Sequence, residues 1–220
     1  MSLIDDVIRY YAARAPVYDE SAGYTDQEAE KLRIPIKARY QDIFRGHNVL
    51  EIACGTGYWT KVIGEVAESV LAIDINPSLI SIARDRCTHQ PDVHFQIANA
   101  YTLQNVPTGF DAALGIWWWS HIPKAYIQTF LAALHGKLAP RAVVLFVDQL
   151  PYDGFIREND AEGNTLEQRI LSDGRSFMIV NNFPTEREVV DALAGIADDI
   201  RYIERPDEEN WDVTYRTRVN

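Results

Sequence analysis

A doubly wound α/β fold on a mostly parallel sheet is what this 220-residue sequence predicts, and three observations carry the prediction. Short apolar runs suited to strands recur near residues 48–52, 70–74, 93–97, 110–115 and 141–148, separated by helical runs at 57–67, 77–87 and 124–138. Strands spaced by helices pair in parallel through right-handed crossovers. Two more strands, near 200–204 and 211–218, are joined only by the polar turn 206–210, so they pair antiparallel at the sheet's end.

Residues 1–44 are expected to form an N-terminal helical lid. Ser2 caps a first helix that carries Ile4, Val7, Ile8 and Tyr11 on one face and stops at Pro16. After an aromatic connector at 17–24, Thr25 and Glu28 make a capping box for a helix through Phe44, which Pro35 should kink or split. Residues 45–150 hold the five alternating strands, and Asn76 with Pro77 marks the start of the helix after the second strand. Residues 151–183 read as a capping insertion: 151–165 is polar, and Gln168–Leu171 and Arg175–Val180 flank Ser-Asp-Gly as a hairpin. In 184–220, Thr185 over Glu188 caps a last helix before the antiparallel pair. The whole chain, 1–220, is expected to be one domain around one core, a size its 47% hydrophobic content suits.

Charge narrows the partners. With 21 basic against 32 acidic side chains the net charge is −11, which opposes nucleic acid and anionic membranes. No apolar run is long enough to span a bilayer, and the acids near the N-terminus do not suit a signal peptide, so a cytoplasmic setting is expected. Cys54 and Cys87 make neither a disulfide framework nor a metal cluster, and Cys54 reads as a small apolar turn residue. The expected partners are a small-molecule acceptor and, at most, a second copy of the chain as a homodimer.

The chemistry concentrates at residues 49–60, Val-Leu-Glu-Ile-Ala-Cys-Gly-Thr-Gly-Tyr-Trp-Thr, where a strand ends in an acid and breaks at Gly55 and Gly57 into a helix start. Such a turn suits a nucleotide-like ligand, although Thr60 stands where a dinucleotide fingerprint wants a third small residue. About twenty residues on, the next strand ends in Asp74, a carboxylate placed to accept both hydroxyls of a ribose.

With these residues the chain resembles the class I S-adenosylmethionine-dependent methyltransferases, from Tyr11 to Arg218. The resemblance implies a Rossmann-like sheet and a cofactor site at Glu51, Ala53, Cys54, Gly55 and Gly57, with Ala53 in place of the motif's first glycine. That replacement requires a negative φ at residue 53. It further implies Asp74 and Ile75 on the ribose, Asn99 and Ala100 at the adenine with the Asn99 amide oxygen accepting from the adenine amino group, and the Gly115 carbonyl, beside Ile116, facing the cofactor's amino group. Within the family the layout is most similar to small-molecule enzymes of the quinone-biosynthesis type. Their Tyr-x-x-Arg-Ala-x-x-Tyr-Asp element corresponds to Tyr11, Arg14, Ala15, Tyr18 and Asp19 and is expected to close over the methionine end.

On the acceptor side, Trp117, Trp118 and Trp119 follow the fourth strand. Packing accounts for most of such a triplet; Trp117 and then Trp118 are the pocket candidates, and an aromatic wall suits a planar substrate or a cationic amine. Tyr24 is a further candidate for the acceptor pocket. His121 is the candidate general base, against an equally weighted role as a helix-start residue bonded to backbone. His47, His89, His94 and His135 lack metal-ligand spacing, and a solvated face outweighs substrate recognition for Arg157, Arg169 and Arg175. The expected activity is methyl transfer to O, N, S or an activated carbon of a small molecule. An NAD(P)-dependent oxidoreductase and a non-catalytic cofactor-binding module are the rival readings; the missing third glycine and the antiparallel pair weigh against the first.

Overall fold

The computed structural model describes residues 3–219. Its main sheet has seven strands in the order β3-β2-β1-β4-β5-β10-β9. These are β1 (Asn48–Ile52), β2 (Ser69–Asp74), β3 (Val93–Ile97), β4 (Phe110–Ile116), β5 (Leu138–Gln149), β9 (Ala197–Arg205) and β10 (Asn210–Thr217). The first five pair in parallel, and β10 runs antiparallel to both β5 and β9. Helices α4 (Tyr58–Gly64), α5 (Pro77–Arg86) and α6 (Ile127–His135) make the crossovers, and α7 (Glu186–Leu193) precedes the closing pair. The expected capping box is present, Thr185 accepting from the Glu188 N–H and Glu188 reaching back.

Two apolar layers cover the sheet. One gathers Leu50, Ile73, Ala113, Phe130, Phe146 and Trp119 beneath α6 and α7; the other gathers Tyr40, Phe44, Val49, Ile63, Val70 and Leu145 beneath α4 and the long α3 (Gln27–Phe44). Both faces are buried, as a parallel sheet requires, so the strands read as apolar runs.

The structure corrects several local expectations. Ser2 lies outside the described residues; α1 spans Leu3–Arg14. Helix α3 is capped by Asp26, whose carboxylate accepts from the Glu28 and Ala29 N–H groups, instead of by Thr25. A carboxylate accepting two donors at a helix N-terminus outcompetes a hydroxyl one residue earlier. Pro35 does not split α3, which runs from Gln27 to Phe44 with Tyr40 and Phe44 of its second half buried in the core. Asn76 occupies an N-cap position without a side-chain cap; its own N–H donates to Asp74. The insertion holds more order than expected: β6 (Arg157–Asn159), β7 (Thr165–Ile170) and β8 (Ser176–Val180) form a separate three-stranded antiparallel sheet. Its β8 side packs on α1 through Val7, Tyr10, Ile179 and Val180, with Tyr10 edge-on to Phe177 at 5.7 Å. The short α2 (Tyr18–Ser21) links α1 to α3.

Candidate functional site

The parallel strands end at a cleft of about 730 Å³ beside the point where strand order reverses, between β1 and β4. Ligands of open α/β sheets bind at this switch point. The strand ends contribute Ala53 and Gly55 after β1, Asp74 with Ile75, Asn99 and Ala100 after β3, and Ile116 with Trp117 after β4; α1 roofs the cleft with Ile4, Val7 and Ile8.

Backbone strain sits at two strand ends that line the cleft. Ala53 has φ 52° and Trp117 has φ 57°, each just past the end of its strand. The negative φ expected for Ala53 is thus overturned. The Cys54 N–H donates to the Ile73 carbonyl at 2.9 Å, which turns the chain through the left-handed region whatever residue stands there. Such a conformation costs a non-glycine residue on the order of 1–2 kcal/mol, and strain of this kind clusters at functional sites. Gly57 is required for a different reason: with φ 75°, a Cβ there would lie 2.8 Å from the Ala83 Cβ, so the glycine lets α4 start against α5.

Asp74 organises the turn. One oxygen accepts from the Gly55 N–H at 3.0 Å and the other from the Asn76 N–H at 2.8 Å, and each keeps lone pairs on the cleft side. Burial raises its carboxyl above the usual range, opposed by those backbone donors. Asn99 lines the cleft, but its amide oxygen already accepts from the Tyr101 N–H at 2.8 Å, which leaves the NH₂ as its open group. Gly115 is not in the cleft wall. It lies within β4 between β1 and β5, and a Cβ there would meet the Phe146 ring at 2.7 Å, so its small size serves the core.

Beside the turn is a chamber of about 300 Å³ lined by Glu51, Ala53, Cys54, Thr56, Tyr18 and Tyr24 among others. Glu51 is buried, and its Oε2 has no hydrogen-bond partner. Burial pushes its carboxyl up to about 8, the neighbouring Thr60 hydroxyl opposing the effect and the nearby Asp74 adding to it. A buried carboxyl oxygen without a partner costs stability unless a cation or donor meets it. Cys54 is a buried thiol pushed well above its ordinary range by desolvation, which suits an apolar turn residue.

The lid is latched to this turn. The Thr56 hydroxyl donates to Asp19 at 2.6 Å, and Arg86 of α5 pairs with the same Asp19 and also donates to Thr56. Tyr24 stacks on Tyr58 with centroids 3.9 Å apart.

A second, wider cleft of about 1690 Å³ opens on the other side of a shared wall made by Tyr11, Tyr18, Ile116, Trp117 and His121. In that wall His121 Nδ1 lies 2.7 Å from the Val180 carbonyl, which can only accept, so Nδ1 carries the proton. Nε2 is then the acceptor, and the Tyr11 hydroxyl donates to it at 2.7 Å. Burial lowers the His121 pKa to about 4, so the imidazole is neutral at physiological pH. Its turn is fixed from behind: the Ser120 N–H donates to buried Asp148 at 2.7 Å, and Asn182 donates from its backbone to Ser120 O and from its side chain to Ile122 O. Arg14 lines the second cleft and not the first, as do Tyr24 and Arg169. Of the tryptophans, Trp117 lines both clefts and Trp118 the first, while Trp119 is core, edge-on to Phe146 and Trp211. Asp148, Asn182 and Tyr101 escaped sequence reasoning because isolated polar residues carry no periodic signal. Among the described residues no group of His, Cys, Asp and Glu is arranged to hold a metal, and no helix is long and apolar enough to cross a membrane.

A sheet ordered 3-2-1-4-5 with an antiparallel closing pair, a glycine turn after β1 and an acid closing β2 is the architecture of the class I methyltransferases, and the chain is similar to that class. Residues 49–141 match the family model described as "Methyltransferase domain". Over its whole length the protein is similar to the solved DhpI–SAH complex, with 27% identity, a TM-score of 0.78 and coverage of 99% of this chain and 98% of that one. A DhpI–SAM–HEP complex matches at 27% identity and TM-score 0.77, covering 97% of each chain. A demethylmenaquinone methyltransferase of Tropheryma whipplei (strain Twist) is 30% identical over 95 residues, 43% of this chain. The chain spans only 38% of the length of that curated relative.

Proposed function

We propose that the protein transfers the methyl group of S-adenosylmethionine to a small-molecule acceptor, at an O, N, S or activated carbon atom. The observation that carries this reading is the pair of buried carboxyls at the glycine turn. Asp74 offers lone pairs to a ribose diol, and the unpartnered Oε2 of Glu51 fits the ammonium of an amino-acid tail in the adjoining chamber. A dinucleotide would share the ribose contact of Asp74 but would bring its pyrophosphate to the turn beside the buried Glu51 carboxyl, which argues against the oxidoreductase reading.

When bound, the cofactor supplies a sulfonium whose methyl is already activated. What the chain adds is position, since holding a nucleophile ~3–3.5 Å from the methyl supplies several kcal/mol of the barrier. Asn99, Ala100 and Ile75 would hold the adenosine end; Tyr18, Gly55 and Glu51 would hold the methionine end. The accepting atom would meet the wall shared by the two clefts. There the Tyr11 oxygen, its own proton committed to His121, is free to accept a hydrogen bond. A hydroxyl or amine proton would pass to the Tyr11 oxygen while the Tyr11 proton moves to His121 Nε2; an acceptor already ionised would use the pair for positioning alone.

In this reading the chain works as one domain: lid 1–44, cofactor core 45–150, cap 151–183 and closing segment 184–220. The net charge of −11 disfavours nucleic acid, and the proposal places the protein in the cytoplasm. Calorimetric titration with S-adenosylhomocysteine, with NADH in parallel, tests it. Preferential binding of NADH, or cofactor binding indifferent to Asp74→Ala, would count against this site.

A further inference from the structure

The second cleft is electrostatically unlike the rest of the molecule. The chain carries a net charge of −11, and most of its arginines are paired with carboxylates. Three that line this cleft are less than fully compensated. Arg14 has no carboxylate among the described residues; its Nε donates to Ser21 Oγ at 2.9 Å and its guanidinium lies 4.7 Å over the Tyr18 ring. Arg33 spends its two Nη groups on the carbonyls of Gly23 and Ala22. Arg169 pairs with Glu167 at 2.6 Å, but that fully buried carboxylate is shared with Arg157 at 2.7 Å, so two cations divide one anion. On the opposite rim, Glu208 is already held by both nitrogens of Arg39, and Glu209 is exposed. Arg169 and Arg14, opposed by Glu167, act on His121, which places them near the shared wall where transfer would occur.

Buried or half-buried guanidinium groups without full compensation cost desolvation energy unless a ligand completes them. Their planar fork fits two oxygens of one carboxylate or phosphoryl group. The arginines favour an anion there over the cationic amine that the aromatic wall alone would suit.

We propose that the methyl acceptor is a small molecule bearing a carboxylate or phosphoryl oxyanion, bound in the second cleft by Arg14 and Arg169 with Arg33 nearer the lid. This rests on the methyltransferase reading and narrows its substrate class. Arg169 comes from the cap and Arg14 from the lid, so an anion between them would also draw those two segments together.

The test starts with S-adenosylhomocysteine binding by calorimetry, which examines the cofactor site alone. A metabolite extract is then split by anion exchange, and each fraction is incubated with the protein and methyl-labelled cofactor. Label is expected in the retained, anionic fraction; prior phosphatase treatment abolishes it for a phosphate ester and leaves it for a carboxylate or a phosphonate. With the acceptor so purified, Arg169→Gln and Arg14→Gln should each raise its KM roughly 10- to 100-fold, as loss of a charge-assisted hydrogen-bond pair predicts. S-adenosylhomocysteine affinity should stay within about twofold, and Arg169→Lys should recover part of the loss. Label confined to the unretained fraction, or variants that shift cofactor affinity but not acceptor KM, would overturn the anion site while leaving methyl transfer standing. No label in any fraction would bring down both. Should Arg169→Gln fail to fold because Glu167 loses a partner, Arg14→Gln decides alone, since Arg14 holds no carboxylate.

Discussion

The two clefts meet at one wall but are built on opposite plans. The first stands on the ends of consecutive parallel strands, is lined by carboxyl oxygens and apolar side chains, and owes its shape to backbone turns at Ala53 and Trp117. The second is walled by segments brought from seven parts of the chain, around 14, 33, 59, 117, 149, 169 and 208, and three guanidinium groups stand among its polar side chains. The difference teaches where specificity resides. The sheet's strand ends set the first cleft, whereas the lid and cap supply the guanidinium groups of the second.

The largest effect that would test this division is at Asp74. Asp74→Ala removes the ribose acceptors and the brace on Gly55 and Asn76, and S-adenosylhomocysteine affinity should fall about 100-fold, two charged hydrogen bonds at about 1.5 kcal/mol each. Calorimetry reads it, and a loss of less than a few-fold would detach Asp74 from the ligand. Next, Tyr11→Phe should lower kcat at least tenfold with cofactor affinity unchanged, because the wall between the clefts loses its oxygen but keeps its ring. A fall in cofactor affinity instead would assign Tyr11 to the first cleft.

Glu51 gives a pH signature. Its carboxyl, held near pKa 8 in the free protein, must ionise to meet an ammonium, so cofactor binding releases a proton. Affinity should therefore rise up to about tenfold per pH unit from pH 6 and level off near 8, and Glu51→Gln should flatten the curve. The same raised pKa makes the folded state bind more protons than the unfolded one between about 4.5 and 8, so native stability drains as pH climbs through that window. Glu51→Gln should then melt higher than the parent at pH 8.5, even as it binds cofactor less well; a lower melting point would show that the carboxyl is internally satisfied. The smallest effect is at Ala53. Ala53→Gly relieves the φ of 52° and should stabilise the protein by about 1 kcal/mol, about 2–4 °C in Tm, without changing either ligand's affinity. A destabilised variant would mean the methyl group packs well enough to outweigh the strain.

The first cleft was largely legible in the sequence because its parts recur with the fold: an acid and glycines after β1, an acid after β2, an amide after β3. What misled there was local. A small residue in the motif suggested ordinary backbone at Ala53, but the neighbouring strand's hydrogen bond dictates the turn; Gly115 looked like a ligand contact and is a gap for Phe146. The second cleft was mostly hidden. Tyr11 and His121 are 110 residues apart and the Val180 carbonyl another 59 along, so no spacing rule could join them. Arg169, taken singly, looked like a solvated side chain, and only the shared Glu167 shows it to be half of an uncompensated pair.

Helix α1 rests its inner face on the small sheet through Val7, Tyr10, Ile179 and Val180, while its Ile4 and Ile8 roof the strand-end cleft. The helix therefore cannot lift without exposing that seam or carrying the small sheet with it. Any widening of the strand-end cleft at α1 is therefore coupled to the small sheet, which ties the cap to the roof of the cleft.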